Sequence, residues 1–154
     1  MQILKLLDVT TIVLAGLLVG VELAIAAFIH PTLERLEVAT HRAAASAIAA
    51  VLGRAMPPWY ALVFVLMAAE GWIRHATGPG QGVWLLVAAG AIWAATIVLT
   101  VMKLVPINNR VAKWTKEKFD ENWQEERSRW DRLHRFRVAV LMLALICVVV
   151  GLLG

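Results

Sequence analysis

The chain has 154 residues, 60% of them hydrophobic, and a mean hydropathy of +0.72. A soluble body of that length has too much exterior to hide so much apolar surface, which excludes an ordinary water-soluble domain. The formal charge of +4 says little by itself because the basic residues are clustered, and the one cysteine, Cys147, excludes an internal disulfide.

A bilayer core takes about 20 apolar residues as a helix. Four stretches qualify, at about 9–29, 58–75, 83–105 and 135–153. Backbone groups in lipid must be satisfied internally, so the expected fold class is all-α: a four-transmembrane-helix bundle forming a single membrane domain over residues 1–154. The first run is long and lacks a short core with a small-residue cleavage pattern, so it reads as a span, not a signal peptide.

The first span, VLAGLLVGVELAIAAFI, holds Glu22 at its middle. A carboxyl there costs several kcal/mol unless it is protonated, paired or turned to a polar cavity, which makes Glu22 a candidate functional residue. Gly16 and Gly20 form a small-xxx-small pattern on which another helix can pack, within the bundle or in a homo-oligomer. His30 stands at the end of the same helix, before Pro31, as a cap, an interfacial residue, an acid/base group or a metal or haem ligand.

The next segment contains RAAASAIAAVL, which predicts an amphipathic helix lying on or dipping into the membrane face. The second span is expected to begin at Pro57-Pro58, with Glu70 and Arg74 as an outward-facing ion pair. Gly78-Pro79-Gly80 is a turn. The third span is expected to stop at Pro106, with Lys103 reaching to headgroups or serving as counter-charge to Glu22.

Between the third and fourth spans lie VPINNRVAKW and then KWTKEKFDENWQEERSRWDRLHRFR. Asn108 and Asn109 can cap the segment after Pro106 or belong to a site. On a helix, Phe119, Trp123, Trp130, His134 and Arg137 share a sector of about 60° at 100° per residue, so the fourth span is expected to carry a cytoplasmic extension. The tryptophans, Trp114 and Trp130 among them, form an interfacial belt or wall a cavity. His134 can exchange a proton near neutral pH or bind a metal, and Arg137 can bind an anion.

Thirteen of the 15 Lys and Arg residues lie in the first and third loops or at their edges, against Lys5 and Arg74 on the other side. The positive-inside rule then puts both termini outside and loops 30–57 and 106–135 in the cytoplasm of a cell-membrane protein. Glu22, His30, Lys103, Asn108, Asn109, His134 and Arg137 share the cytoplasmic half, a convergence that points to a cavity. Basic loops of this kind attract anionic lipid, and no nucleic-acid partner is expected.

VPINNRVAKW followed by RWDRLHRFRVAVLMLALI resembles the anthrone oxygenase-like family of small four-span membrane proteins, most of them without a known function. The resemblance rests on the Pro-Ile-Asn-Asn segment and on Trp130, His134 and Arg137 at the head of the fourth helix. Characterised fungal members oxidise an anthrone to an anthraquinone with molecular oxygen, without an evident cofactor. For this chain the resemblance implies His134 as base, with Glu22 a second catalytic candidate from the residues themselves. It also implies Asn108, Asn109 and Arg137 as donors to the substrate or reduced oxygen, and Trp114 and Trp130 as stacking surfaces. The alternatives are a haem- or metal-dependent redox protein using His30 and His134, and a non-enzymatic lipid- or partner-binding bundle.

Overall fold

The computed structural model describes residues 2–78, 80–114 and 122–154. Within these residues the chain is all-helical, without strands, and forms four rods: α1 (Gln2–Leu33), α2 (Val38–Thr77), α3 (Gln81–Val111) and α4 (Trp123–Leu153). All four are long and apolar enough to cross a membrane. The outer surface explains the composition, since Ile3, Leu6, Phe28, Val65, Val101 and Ile146 all project outward. In water that apolar surface would be unfavourable; against hydrocarbon it is neutral.

Prolines shape the rods without ending them. In α1 and α3, a π turn stands just before an X-Pro pair: Ile25–Ile29 ahead of His30-Pro31, and Thr100–Leu104 ahead of Val105-Pro106. A proline lacks the N–H that would bond the carbonyl four residues back, and its ring crowds that carbonyl. The widened turn answers this, with His30 N–H donating to the Ile25 carbonyl and Val105 N–H to that of Thr100, both five residues back. Thus Pro106 does not stop the third helix, which runs on to Val111, and Asn108 and Asn109 lie inside it instead of capping a following segment.

Likewise Pro57-Pro58 does not start a helix. The helix of the first loop is the front half of α2, which passes through both prolines as one 40-residue element. The carbonyls that the two rings leave unbonded belong to Gly53 and Arg54, both exposed. The loop between α1 and α2 is thereby reduced to Glu34–Glu37. Gly78, with φ of 134°, closes α2, a conformation that suits only glycine. Pro79 of the expected turn lies outside the described residues, as do Phe119, Lys116 and Lys118 of the third loop.

Two apolar clusters hold the rods together. One packs Leu18, Val63, Met67, Leu86, Trp93 and Leu141. The other, toward the basic loops, packs Leu33, Ala45, Leu104, Ile107, Val111 and Trp114. α3 and α4 approach closely at Gly82 and Gly151, where a Cβ on Gly82 would fall 2.5 Å from the Gly151 carbonyl oxygen. Gly16 and Gly20 meet nothing, so the small-xxx-small face of α1 is not used inside the bundle. Glu70 is not outward-facing: it is fully buried, 3.6 Å from Arg74, whose guanidinium also reaches Asp8 at 2.6 Å.

The glycine contrast is testable by thermal or denaturant unfolding in detergent. Gly82→Ala is expected to cost about 1–3 kcal/mol through overpacking against backbone. Gly90→Ala, with open space at its Cβ, is expected to be neutral or to gain up to about 1 kcal/mol of helix propensity.

Candidate functional site

Glu22 and Arg137 organise the interior. Glu22 lies on the inward face of α1, 2% exposed, and Arg137 on the inward face of α4. Arg137 Nη2 donates to Glu22 Oε2 at 2.6 Å, and the Tyr60 hydroxyl of α2 donates to Oε1 at 2.8 Å. Arg137 Nη1 donates at 3.0 Å to the hydroxyl of Thr100, which opens the π turn of α3. One carboxylate and one guanidinium therefore join all four rods. The Arg137 guanidinium also lies 5.6 Å from the centre of the Tyr60 ring.

His134, one turn before Arg137, is fully buried, and both its ring nitrogens are engaged. Arg137 Nη2 lies 3.1 Å from Nδ1, and the Glu22 backbone carbonyl 3.2 Å from Nε2. A guanidinium only donates, so Nδ1 accepts, and the proton sits on Nε2, donated to the carbonyl. This is the neutral tautomer, with no lone pair left for a metal or an incoming proton.

His30 is placed differently. Its Nδ1 stands 2.9 Å from Asp131 Oδ1, an oxygen that Arg127 Nη2 approaches at 3.3 Å. The Trp130 ring stacks on His134 at 4.6 Å and meets His30 edge-on at 4.8 Å. The two imidazole centres are 5.2 Å apart and tilted, too close for a haem between them, since two axial imidazoles with Fe–N bonds of about 2 Å need roughly 6 Å. Among the described residues no three His, Cys, Asp or Glu side chains stand together as a metal site.

These groups form the floor of a cavity of about 240 Å³ between the two apolar clusters. Its walls are mainly aliphatic, with Ile25, Leu33, Ile48, Leu52, Met56 and Leu104 among them. Glu22, His30, Trp130, His134 and Arg137 all line it, as do Asn108 and Asn109. Asn108 is half-buried, and its amide donates to the Ala49 carbonyl of α2 at 3.2 Å, a contact that the bare Cα of Gly53 leaves room for. Asn109 is exposed at the rim.

Trp114 does not line the cavity. It is buried in the second apolar cluster, edge-on to Trp123 at 6.0 Å. Trp114 and Trp130 are therefore interior residues, while Trp72 and Trp84 at the other end are the outward-facing ones. Lys103 is exposed, and the counter-charge to Glu22 is Arg137.

Sequence reading missed Tyr60, Thr100, Arg127 and Asp131. Tyr60 is the only tyrosine of the chain and Asp131 the residue beside Trp130, but nothing in a single sequence says which rotation of each helix faces inward. The signal that could have found Asp131 is its spacing of four from Arg127 and three from His134, one helix face.

A double-mutant cycle tests the central pair. Arg137→Met is expected to destabilise the detergent-solubilised protein by about 3–5 kcal/mol, because it leaves Glu22 buried without its charge partner. Adding Glu22→Gln should restore much of that loss, and strict additivity would show that the two residues are uncoupled.

The family model described as Anthrone oxygenase matches residues 45–147, a range running from the front half of α2 through most of α4. No curated protein and no solved structure matches the chain. With two thirds of the sequence inside the match, including Tyr60, Asn108, Asn109, Trp130, Asp131, His134 and Arg137, the chain belongs to the anthrone oxygenase family.

Proposed function

We propose that the protein is an integral membrane oxygenase that takes an amphipathic, planar phenolic or quinone-like substrate into the cavity and oxidises it with molecular oxygen. Both termini lie outside and the basic loops in the cytoplasm, so the cavity serves the cytoplasmic leaflet. The observation that carries the reading is the pairing of an apolar cavity with a floor of hydrogen-bonding groups, in a member of this family.

The reaction of the family type needs a base, donors for the oxyanion, and a dry site. For an anthrone the balance is one ring CH2 plus O2 giving one ring C=O plus H2O. Deprotonation of the CH2 yields an enolate-type carbanion. This reduces O2 and combines with it to form a C–O bond, and a proton completes a hydroperoxide. Loss of water then takes the second C–H proton and breaks the O–O bond.

Of the two inner histidines, His30 is the better base. With the Asp131 carboxylate 2.9 Å from Nδ1, a neutral ring favours its proton on that side, which makes Nε2 the acceptor. His134 instead acts as a positioning residue: its two bonds hold the Glu22 backbone and the Arg137 guanidinium in place. Arg137 supplies positive charge where the ring oxygen gathers negative charge, and Glu22 with Tyr60 keeps that guanidinium fixed. Trp130 provides a flat wall for a planar ring, and Asn108 and Asn109 provide polar contacts toward the rim.

The test is oxygen consumption by purified protein with 1,8-dihydroxyanthrone, read against the uncatalysed oxidation. His30→Ala is expected to lower kcat by about 10²–10⁴. Asp131→Asn should lower it less and shift its pH profile, because the amide no longer fixes the imidazole tautomer. A protein that adds nothing to the background rate, or a His30→Ala variant at full rate, would falsify this assignment.

A second reading is a non-enzymatic bundle that binds a hydrophobic ligand. Its supporting observation is that every ionised group on the floor already has a partner of opposite charge. In that case 1,8-dihydroxyanthrone would bind saturably with no oxygen consumed.

A further inference from the structure

We infer that the cavity opens sideways between α2 and α3 into the hydrocarbon of the bilayer, so that its ligand arrives dissolved in lipid, uncharged, and not from water. This inference rests on reading the cavity as the ligand site.

The burial pattern around the cavity is one-sided. Its lining residues from α1 and α4, among them Glu22, Ile25, His30, Trp130 and His134, are all buried. The lining residues that are exposed, Gly53, Pro57, Ala61, Val101 and Asn109, all come from α2 and α3. The mouth therefore lies between those two rods.

Hydrogen bonds between α2 and α3 bound the opening. Toward the basic loops, Asn108 Nδ2 donates to the Ala49 carbonyl at 3.2 Å, and Ser46 Oγ to the Ala112 carbonyl at 3.2 Å. At the other end Trp93 Nε1 donates to the Tyr60 carbonyl at 3.2 Å. From Ala49 to Tyr60 the slit runs roughly 16 Å at 1.5 Å per residue, wide enough in that direction for a three-ring molecule. The stitches at the loop end close the side nearest to water.

The rim chemistry agrees. Gly53, Pro57, Ala61 and Val101 carry no ionisable group, and Val101 is more than half exposed as a large apolar side chain. Pro57 of α2 and Thr100, Val101 and Leu104 of the π turn in α3 all line the cavity. Deeper in, Trp130 Nε1 and Arg137 Nε are buried N–H donors without acceptors. Unpaired donors in a mainly aliphatic cavity favour a ligand with a carbonyl or hydroxyl oxygen at its leading edge. An anion would lose its hydration at the apolar rim before reaching them.

Thiol labelling in phosphatidylcholine liposomes tests the route without any turnover. In a Cys147→Ser background, Leu104→Cys and Ile48→Cys each place a thiol on the cavity wall, away from the polar floor. N-phenylmaleimide, which dissolves in the bilayer, is expected to modify both at least tenfold faster than a sulfonated, water-confined maleimide. Ala61→Trp and Val101→Trp, which fill the mouth, should each slow that labelling tenfold or more while leaving helical content unchanged. The inference is overturned if the sulfonated reagent is as fast, if neither mouth variant slows N-phenylmaleimide, or if neither thiol labels in the folded protein while both label after denaturation. Labelling as expected in a protein that consumes no oxygen with 1,8-dihydroxyanthrone would keep the sideways opening and remove only the oxygenase chemistry.

Discussion

The structure depends on one buried ion pair. An ionised carboxylate among apolar helices is costly, and so is a guanidinium; together, at 2.6 Å and with further hydrogen bonds from Tyr60 and to Thr100, they are mutually compensated. Since α1, α2, α3 and α4 each contribute one of these four groups, the pair fixes the rotation of every rod about its own axis. Apolar packing alone does this poorly in lipid, where inward and outward faces are similarly hydrophobic. The polar layer therefore sets register as well as floor, and the aliphatic cavity is the space left between it and the second apolar cluster.

The same layer distributes the chemistry unequally between two neighbouring histidines. His134 is held at both nitrogens and is part of the scaffold. His30, its ring centre 5.2 Å away, is backed by a carboxylate that Arg127 in turn approaches. Such an arrangement suits the role of base proposed for His30, with the carboxylate on one side of the ring. Identical residue types thus differ in capability through their partners alone.

Much of the fold was legible because hydropathy reports the length of a helix and its apolar outer surface directly: the four long apolar helices, the helix in the first loop and the extension of the fourth rod all follow from it. What proline does was misread. Pro57, Pro58 and Pro106 were natural helix boundaries by the logic of water-soluble proteins, whereas here continuous helices absorb them by π widening or by leaving exposed carbonyls free. In the site, Glu22, His134 and Arg137 announced themselves because ionisable groups in apolar surroundings are expensive. Tyr60 and Asp131 did not, since a lone tyrosine is common in a span and an aspartate in a charged loop segment looks solvated. Trp114 illustrates the opposite error: an aromatic at the right depth, turned into a packing cluster and away from the cavity.

The paired π turns have a consequence for how the chain tolerates change in length. A π turn holds one residue more than the α-helical turn it replaces, so each is, in geometry, a stored insertion. Losing one residue within Ile25–Ile29 would let α1 relax to regular helix with both flanks close to their present orientations, whereas a residue added to a helix without such a turn would rotate everything after it by about 100°. The turn sits between Glu22, which meets Arg137, and His30, which meets the rings of Trp130 and His134. The first helix thus has, between its buried carboxylate and its terminal histidine, one place where a residue can be gained or lost with both contacts kept.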